Sequence, residues 1–107
     1  ILDDGGHLLH FARMDGAKLS SIDIAINKAV AAAIRRQNTS PARSGDEVSV
    51  LLSLGLAIGS HARQTPIRGG LTLEVSGQCV GGIGVSAGTE DEDTEVARAG
   101  VAAFIKG

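Results

Sequence analysis

The stretch "LTLEVSGQCVGGIGVS", residues 71–86, carries two different rhythms on either side of one glycine. Leu71, Leu73 and Val75 alternate with polar residues, the period of a strand with one buried face, and Gly77 then joins them to a second apolar run, Cys79 to Val85. Two such runs around a single glycine predict an antiparallel hairpin. Immediately after it, Thr89 precedes Glu90, Asp91, Glu92 and Asp93, a capping-box start with acids at the positive end of a helix. Val96, Gly100, Ala103 and Phe104 continue it as an apolar stripe. A terminal helix follows.

Upstream, Pro66, Gly69 and Gly70 mark a turn, and Asn38 to Asp46 reads as a loop rich in Thr, Ser, Pro and Gly. Glu47 to Leu56 fits either a short helix or a buried strand, because its periodicity favours neither. From Ser20, which caps, the pattern turns helical: Ile22, Ile26, Ala29, Val30, Ala33 and Ile34 share a face, Asp23 sits in the first turn, and Lys28 lies beside the stripe. Arg35 and Arg36 suit the negative end of that helix. The opening "HLLHFARM", from His7, follows the turn signal Asp3 to Gly6 and has the apolar density of a strand, so the chain begins as a hairpin whose first arm is mostly missing. Helices mixed with antiparallel hairpins predict an α+β domain in which helices flank an antiparallel sheet.

Size and composition narrow the functions available to such a domain. A chain of 107 residues builds one core. With two Phe and no Trp or Tyr, that core is aliphatic, and a flat ligand meets aliphatic walls. Ten basic residues against twelve acidic ones give a net charge of -2, which argues against nucleic acid on both charge and stacking grounds. No apolar run approaches the ~20 residues that span a bilayer, so a membrane role is not expected. Cys79 stands alone, which excludes an internal disulfide and fits a reducing, cytoplasmic setting.

Several local motifs lose on inspection. "GGIGVSAG", Gly81 to Gly88, contains G-x-G-x-x-A ahead of a helix, but four acids would face the pyrophosphate, and the chain ends before an acidic ribose ligand. Close backbone packing explains those glycines better. Ser86 in "GVSAG" sits where a nucleophile elbow has its serine, yet no His follows it. His7 and His10 are three apart on the expected strand and point to opposite faces, so they do not share a metal. The run Glu90 to Asp93 lacks the alternating ligands of a calcium loop and reads as helix capping.

"RMDGA", Arg13 to Ala17, is harder to dismiss, since Arg13 and Asp15 either pair across a turn with Met14 in the core or form one wall of a site. Together with Ile24, Ala25, Lys28 and Ala29 of the helix, then Thr39, Gly69-Gly70, and "VGGIGVS" from Val80 to Ser86, it resembles the GlcG/HbpS family of haem-binding-protein-like domains, also found at the C-terminus of PduO-type propanediol-utilisation proteins. The order and spacing of the set carry the resemblance, which covers nearly the whole chain. Three positions depart from the family pattern: Ala31 stands in "KAVAA" where the family has a Thr, Leu71-Thr72-Leu73 follows the double glycine where the family has a Pro, and Ala87 follows Ser86 where the family has a Gly.

The resemblance implies a profilin-like layering of one domain over residues 1–107, with the family's opening helix missing and the domain N-terminally incomplete. It implies a ligand site that gathers Arg13, Met14, Asp15 and Lys28 beside the strand carrying Gly82 and Ser86, with cations that hold carboxylates such as haem propionates. Thr39 matches a family Thr in the region where some relatives hold haem iron through a hydroxyl. Three functions stay open on this reading: an oligomeric domain, often an octamer in the family, that binds haem or another tetrapyrrole or small anion; an accessory isomerase or hydrolase-like enzyme acting on a small organic acid, with Arg13, Asp15 and Lys28 as clamp and acid/base pair; and a structural partner of a pathway protein.

Overall fold

A computed structural model describes all residues from Ile1 to Gly107. The hairpin predicted over residues 71–86 is its centre: β4 (Gly70–Val75) and β5 (Gln78–Gly84) pair antiparallel around Ser76-Gly77, and both turn residues have positive φ. A short edge strand, β1 (Leu2–Asp3), pairs with β5 at Gly82 and Gly81 to give the order β1-β5-β4. Helix α1 (Ser21–Arg35) and helix α3 (Glu90–Lys106) pack on this sheet, whereas a two-residue ribbon of β2 (Arg43–Ser44) and β3 (Glu47–Val48) and the helix α2 (Val50–Gly59) lie outside it. The chain is therefore α+β, with an antiparallel sheet flanked by helices.

Side-chain alternation along β5 separates the two covering helices. A Cβ on Gly82 would strike the carbonyl of Ala29, and one on Gly84 would strike that of Ala25, so α1 sits directly on the backbone of this face. Ile83, between them, points the other way and fills the space beside Gly100 of α3. The α1 face buries Ala29, Ala32 and Ala33, and the core as a whole is made of small residues and a few leucines. Close approach replaces side-chain bulk as the means of packing.

The terminal helix starts as its sequence predicts. Thr89 Oγ1 accepts the Glu92 N–H at 3.2 Å, and the Glu92 carboxylate accepts the Thr89 N–H at 2.9 Å. That second bond, from the Thr89 backbone, holds the Glu92 carboxyl below its ordinary value. Between residues 47 and 56 the helix reading is realised from Val50, capped by Ser49, whereas Glu47–Val48 forms only a short exposed strand rather than a buried one.

The opening departs from expectation. "HLLHFARM" is not a strand: Leu8 makes an isolated antiparallel bridge to Leu2, Leu9 and His10 still bond to the Ile1 backbone, and the chain then leaves the sheet. The Asp3 to Gly6 turn forms, with the Asp3 carboxylate accepting the N–H groups of His7 at 2.9 Å and Gly5 at 3.0 Å, and β1 spans two residues. The His7 N–H is the main reason that the Asp3 carboxyl lies below its usual range. Ser20 precedes α1 without a side-chain capping bond.

Candidate functional site

Leaving the sheet is what makes the largest cleft. Residues from Leu8 to Lys18 arch over the first two turns of α1 and the end of β5, enclosing about 550 Å³. Ile22, Ala25 and Ile26 of α1, Ile83 and Val85 of the β5 segment, and Leu8 and Phe11 of the arch give it aliphatic and mostly apolar walls. Polar groups are few. Arg13, Asp15, Lys18, Ser21, Ser86 and the His10 imidazole line it.

"RMDGA" supplies the bend of the arch. The Ala17 N–H donates to the Met14 carbonyl at 3.1 Å, closing a turn whose third residue, Gly16, has φ 81°. A glycine there avoids the Cβ clash of the left-handed region. Arg13 and Asp15 flank that turn without forming an ion pair, and Met14 is 82% exposed rather than part of the core. The stretch is thus a turn and a wall of the cleft at once.

The other sequence candidates divide. Ser86 lines the cleft, but Gly82 lies beneath α1, where its missing Cβ permits the helix contact. Lys28 does not face the cleft. Its side chain is 1% exposed, with Nζ donating to Asp93 Oδ2 at 3.0 Å and to the Val85 carbonyl at 2.7 Å. The clamp expected of Lys28 beside Arg13 is therefore not assembled, because burial at the end of the sheet has given that cation a carboxylate of its own. Thr39 is likewise outside the cleft. Its Oγ1 accepts the Gly70 N–H at 3.0 Å and faces the Gly70 carbonyl at 3.4 Å, tying the loop after α1 to the start of β4. Both roles of that hydroxyl are occupied by backbone.

One cleft residue escaped the sequence reading: Lys18 follows the turn, as His10 precedes it, and only the irregular path of the arch brings both to the same opening as Arg13. A strand reading of residues 7–14 put His10 on an alternating face, and no motif marks Lys18. Across the whole chain no three His, Cys, Asp or Glu side chains gather into a metal-binding group.

Known proteins match this chain in sequence and in fold. The model of a family described as haem degrading protein HbpS-like fits residues 1–102. The chain belongs to the HbpS-like family. Among its relatives is an uncharacterised 15.0 kDa protein from the dhaT-dhaS intergenic region of Citrobacter freundii, 34% identical over 104 residues, a match covering 97% of this chain and 72% of that protein. Protein GlcG of Escherichia coli is 35% identical over 86 residues, 80% of this chain and 60% of GlcG.

Two solved structures of similar proteins share the fold. Protein ORFY of Klebsiella pneumoniae superposes with a TM-score of 0.82 at 34% identity, covering 96% of this chain and 70% of ORFY. A PduOC:haem complex superposes with a TM-score of 0.81 at 26% identity, covering 95% of this chain and 73% of PduOC. No helix of this HbpS-like chain is long and apolar enough to cross a membrane.

Proposed function

We propose that this HbpS-like domain binds a tetrapyrrole, haem by preference, in the cleft beneath the Leu8 to Lys18 arch. The observation that carries the reading is the cleft itself: about 550 Å³ with mainly hydrophobic walls and, at its polar positions, two cations against one carboxylate. A macrocycle with carboxylate arms needs that division, apolar surface for the ring and charge-assisted donors for the propionates. Arg13 and Lys18 are the donors that line this cleft, so the anion clamp is assigned to that pair. The residues fit the metal as well, since an imidazole, His10, and a thioether, Met14, line the same space and both are ordinary axial ligands of haem iron. When bound, haem would supply redox and oxygen chemistry; the chain's own part is to hold it, exclude water from its faces and fix its carboxylates. The family's description and the haem complex of the similar PduOC structure support the choice of ligand.

The same reading includes assembly into a homo-oligomer. Leu51 is 84% exposed and Ile58 76% exposed on α2, and Leu8, Leu9 and Phe11 are also open on the arch, more bare apolar surface than a lone subunit of this size ordinarily carries. Light scattering is expected to give a multiple of the 10.8 kDa chain mass. A monodisperse monomer at micromolar concentration refutes this part.

Haemin titration followed by absorbance tests the ligand. Wild type is expected to bind with a defined Soret band, and Arg13→Ala with Lys18→Ala to weaken binding by about tenfold or more, the scale of lost charge-assisted contacts. His10→Ala or Met14→Ala is expected to shift the spectrum, whereas Thr39→Ala leaves it unchanged. Equal haemin affinity in the double variant and wild type overturns the assignment.

A further inference from the structure

A second cleft, on the other side of α1's C-terminal end, shares no lining residue with the first. It encloses about 330 Å³ between the end of α1, the loop leading into the β2–β3 ribbon, α2, and the turn before β4. We propose that it is a binding site for a small oxyanion, a phosphate or a compact carboxylate.

Its polar lining is one-sided. The guanidinium groups of Arg35 and Arg43, the amides of Gln37 and Gln64 and the hydroxyls of Ser40 and Thr65 border it, and no Asp or Glu does. Lys28 is consumed by its buried pair with Asp93, and Arg68 approaches Asp91 at 3.9 Å on the surface. Arg35 and Arg43 have no carboxylate within ion-pair distance, and the one side-chain hydrogen bond of the two goes from Arg43 to the Asp46 carbonyl. Two planar forks and four neutral side chains able to donate therefore border a space with no internal anion to satisfy them. The negative end of α1 opposes an anion there, but Arg35, in its last turn, offsets that field.

The walls are held in place before any ligand arrives. Ser53 is buried beside the cleft, where its Oγ accepts the Ala42 N–H at 2.9 Å and donates to the Ser49 carbonyl at 2.7 Å, fixing the loop against α2. On the other wall the Gln64 N–H donates to Ser60 Oγ at 3.0 Å. Pro41 and Pro66 stiffen the two segments further. A fixed backbone frame limits the freedom lost on binding to the side chains that reach the anion. Size and polarity both separate this site from the first: the space suits a compact anion, and only a minority of its lining is hydrophobic.

Calorimetric titration of the intact chain with inorganic phosphate and, separately, with malonate tests the proposal and distinguishes its two sources. One of the two is expected to bind at millimolar or better concentration, and R35Q/R43Q to weaken it by about tenfold or more. R98Q, which removes a cation from α3, leaves the affinity unchanged. Haemin titration of the same variants keeps the sites apart, because R35Q/R43Q is expected to bind haemin as wild type does. Absence of heat with both anions, or equal anion affinity in R35Q/R43Q and wild type, overturns the second site whatever the outcome at the first. A change of oligomeric mass in R35Q/R43Q without anion binding overturns it too, by giving those arginines to a subunit contact.

Discussion

Two charged places in this molecule use opposite strategies. At the end of the sheet, Lys28 and Asp93 stand 65 positions apart in sequence and meet at 3.0 Å with almost no solvent around them. At the arch, Arg13 and Asp15 are near neighbours in sequence, carry the same opposite charges, and do not pair. The buried pair is fully provided for: Asp93 Oδ1 accepts the Gly88 N–H at 2.9 Å, Lys28 Nζ also reaches Val85, and no buried side-chain nitrogen or oxygen in the protein lacks a partner. The open pair keeps its hydrogen-bonding capacity for something else. Charge consumed in the interior ties α1, β5 and α3 into one body, and charge left at a cleft mouth is available to a ligand.

Lys28→Met tests the contrast most severely. It leaves the Asp93 carboxylate buried without its cation, and the loss of folding stability is expected at about 3–5 kcal/mol, read as a urea midpoint. Adding Asp93→Leu to it is expected to restore part of that loss, because the uncompensated charge is gone while the Gly88 N–H and the Val85 carbonyl lose their side-chain partners. A cost below about 1 kcal/mol for Lys28→Met would put this pair in the class of exposed ion pairs and erase the distinction.

A smaller effect of opposite sign is expected next to the same knot. Ala87 follows the strand end that Lys28 holds, and its φ of 101° is a conformation that suits glycine, the residue the family pattern places there. Ala87→Gly is expected to raise stability by about 1 kcal/mol, the relieved strain exceeding the added freedom of the unfolded chain. Because Ala87 also borders the cleft beneath the arch, haemin titration of this variant reads whether relaxing the knot alters the open site. A lowered urea midpoint refutes the strain.

The smallest change in stability belongs to the arch. Met14→Ala removes an exposed side chain, so the urea midpoint is expected to move by less than about 0.5 kcal/mol while the haemin spectrum or affinity changes. A large loss of stability with unaltered haemin binding would make the arch a structural element like the knot, and the comparison would collapse.

The chain's own letters carried a good deal of this. The turn at Gly77 and the capping box at Thr89 and Glu92 are local and are realised as read, whereas the alternation buries Leu71 and Leu73 but breaks at a register shift after Leu73 that leaves Val75 exposed. The α+β layering, the helix from Ser21 and the family follow from the same short-range patterns and their spacing. The "RMDGA" turn was legible for the same reason, since Gly16 has to supply its positive φ.

What the letters left open were matters of distance through space. Whether residues 7–14 formed a strand depended on which backbone groups they met, and only residues 7 to 10 bond to the opening residues before the segment turns over α1. Lys28 looked like a companion of Arg13 because both are cations of one motif set, yet its partner, Asp93, comes from a helix that the sequence explained entirely by capping. Thr39 was taken by the Gly70 backbone, and Lys18 and His10 were brought to the cleft by a path that no periodicity encodes. Backbone conformation is set largely by neighbours in the chain, but the partner of a buried charge and the lining of a cleft are set by which distant segments pack together; only the tertiary structure makes that choice.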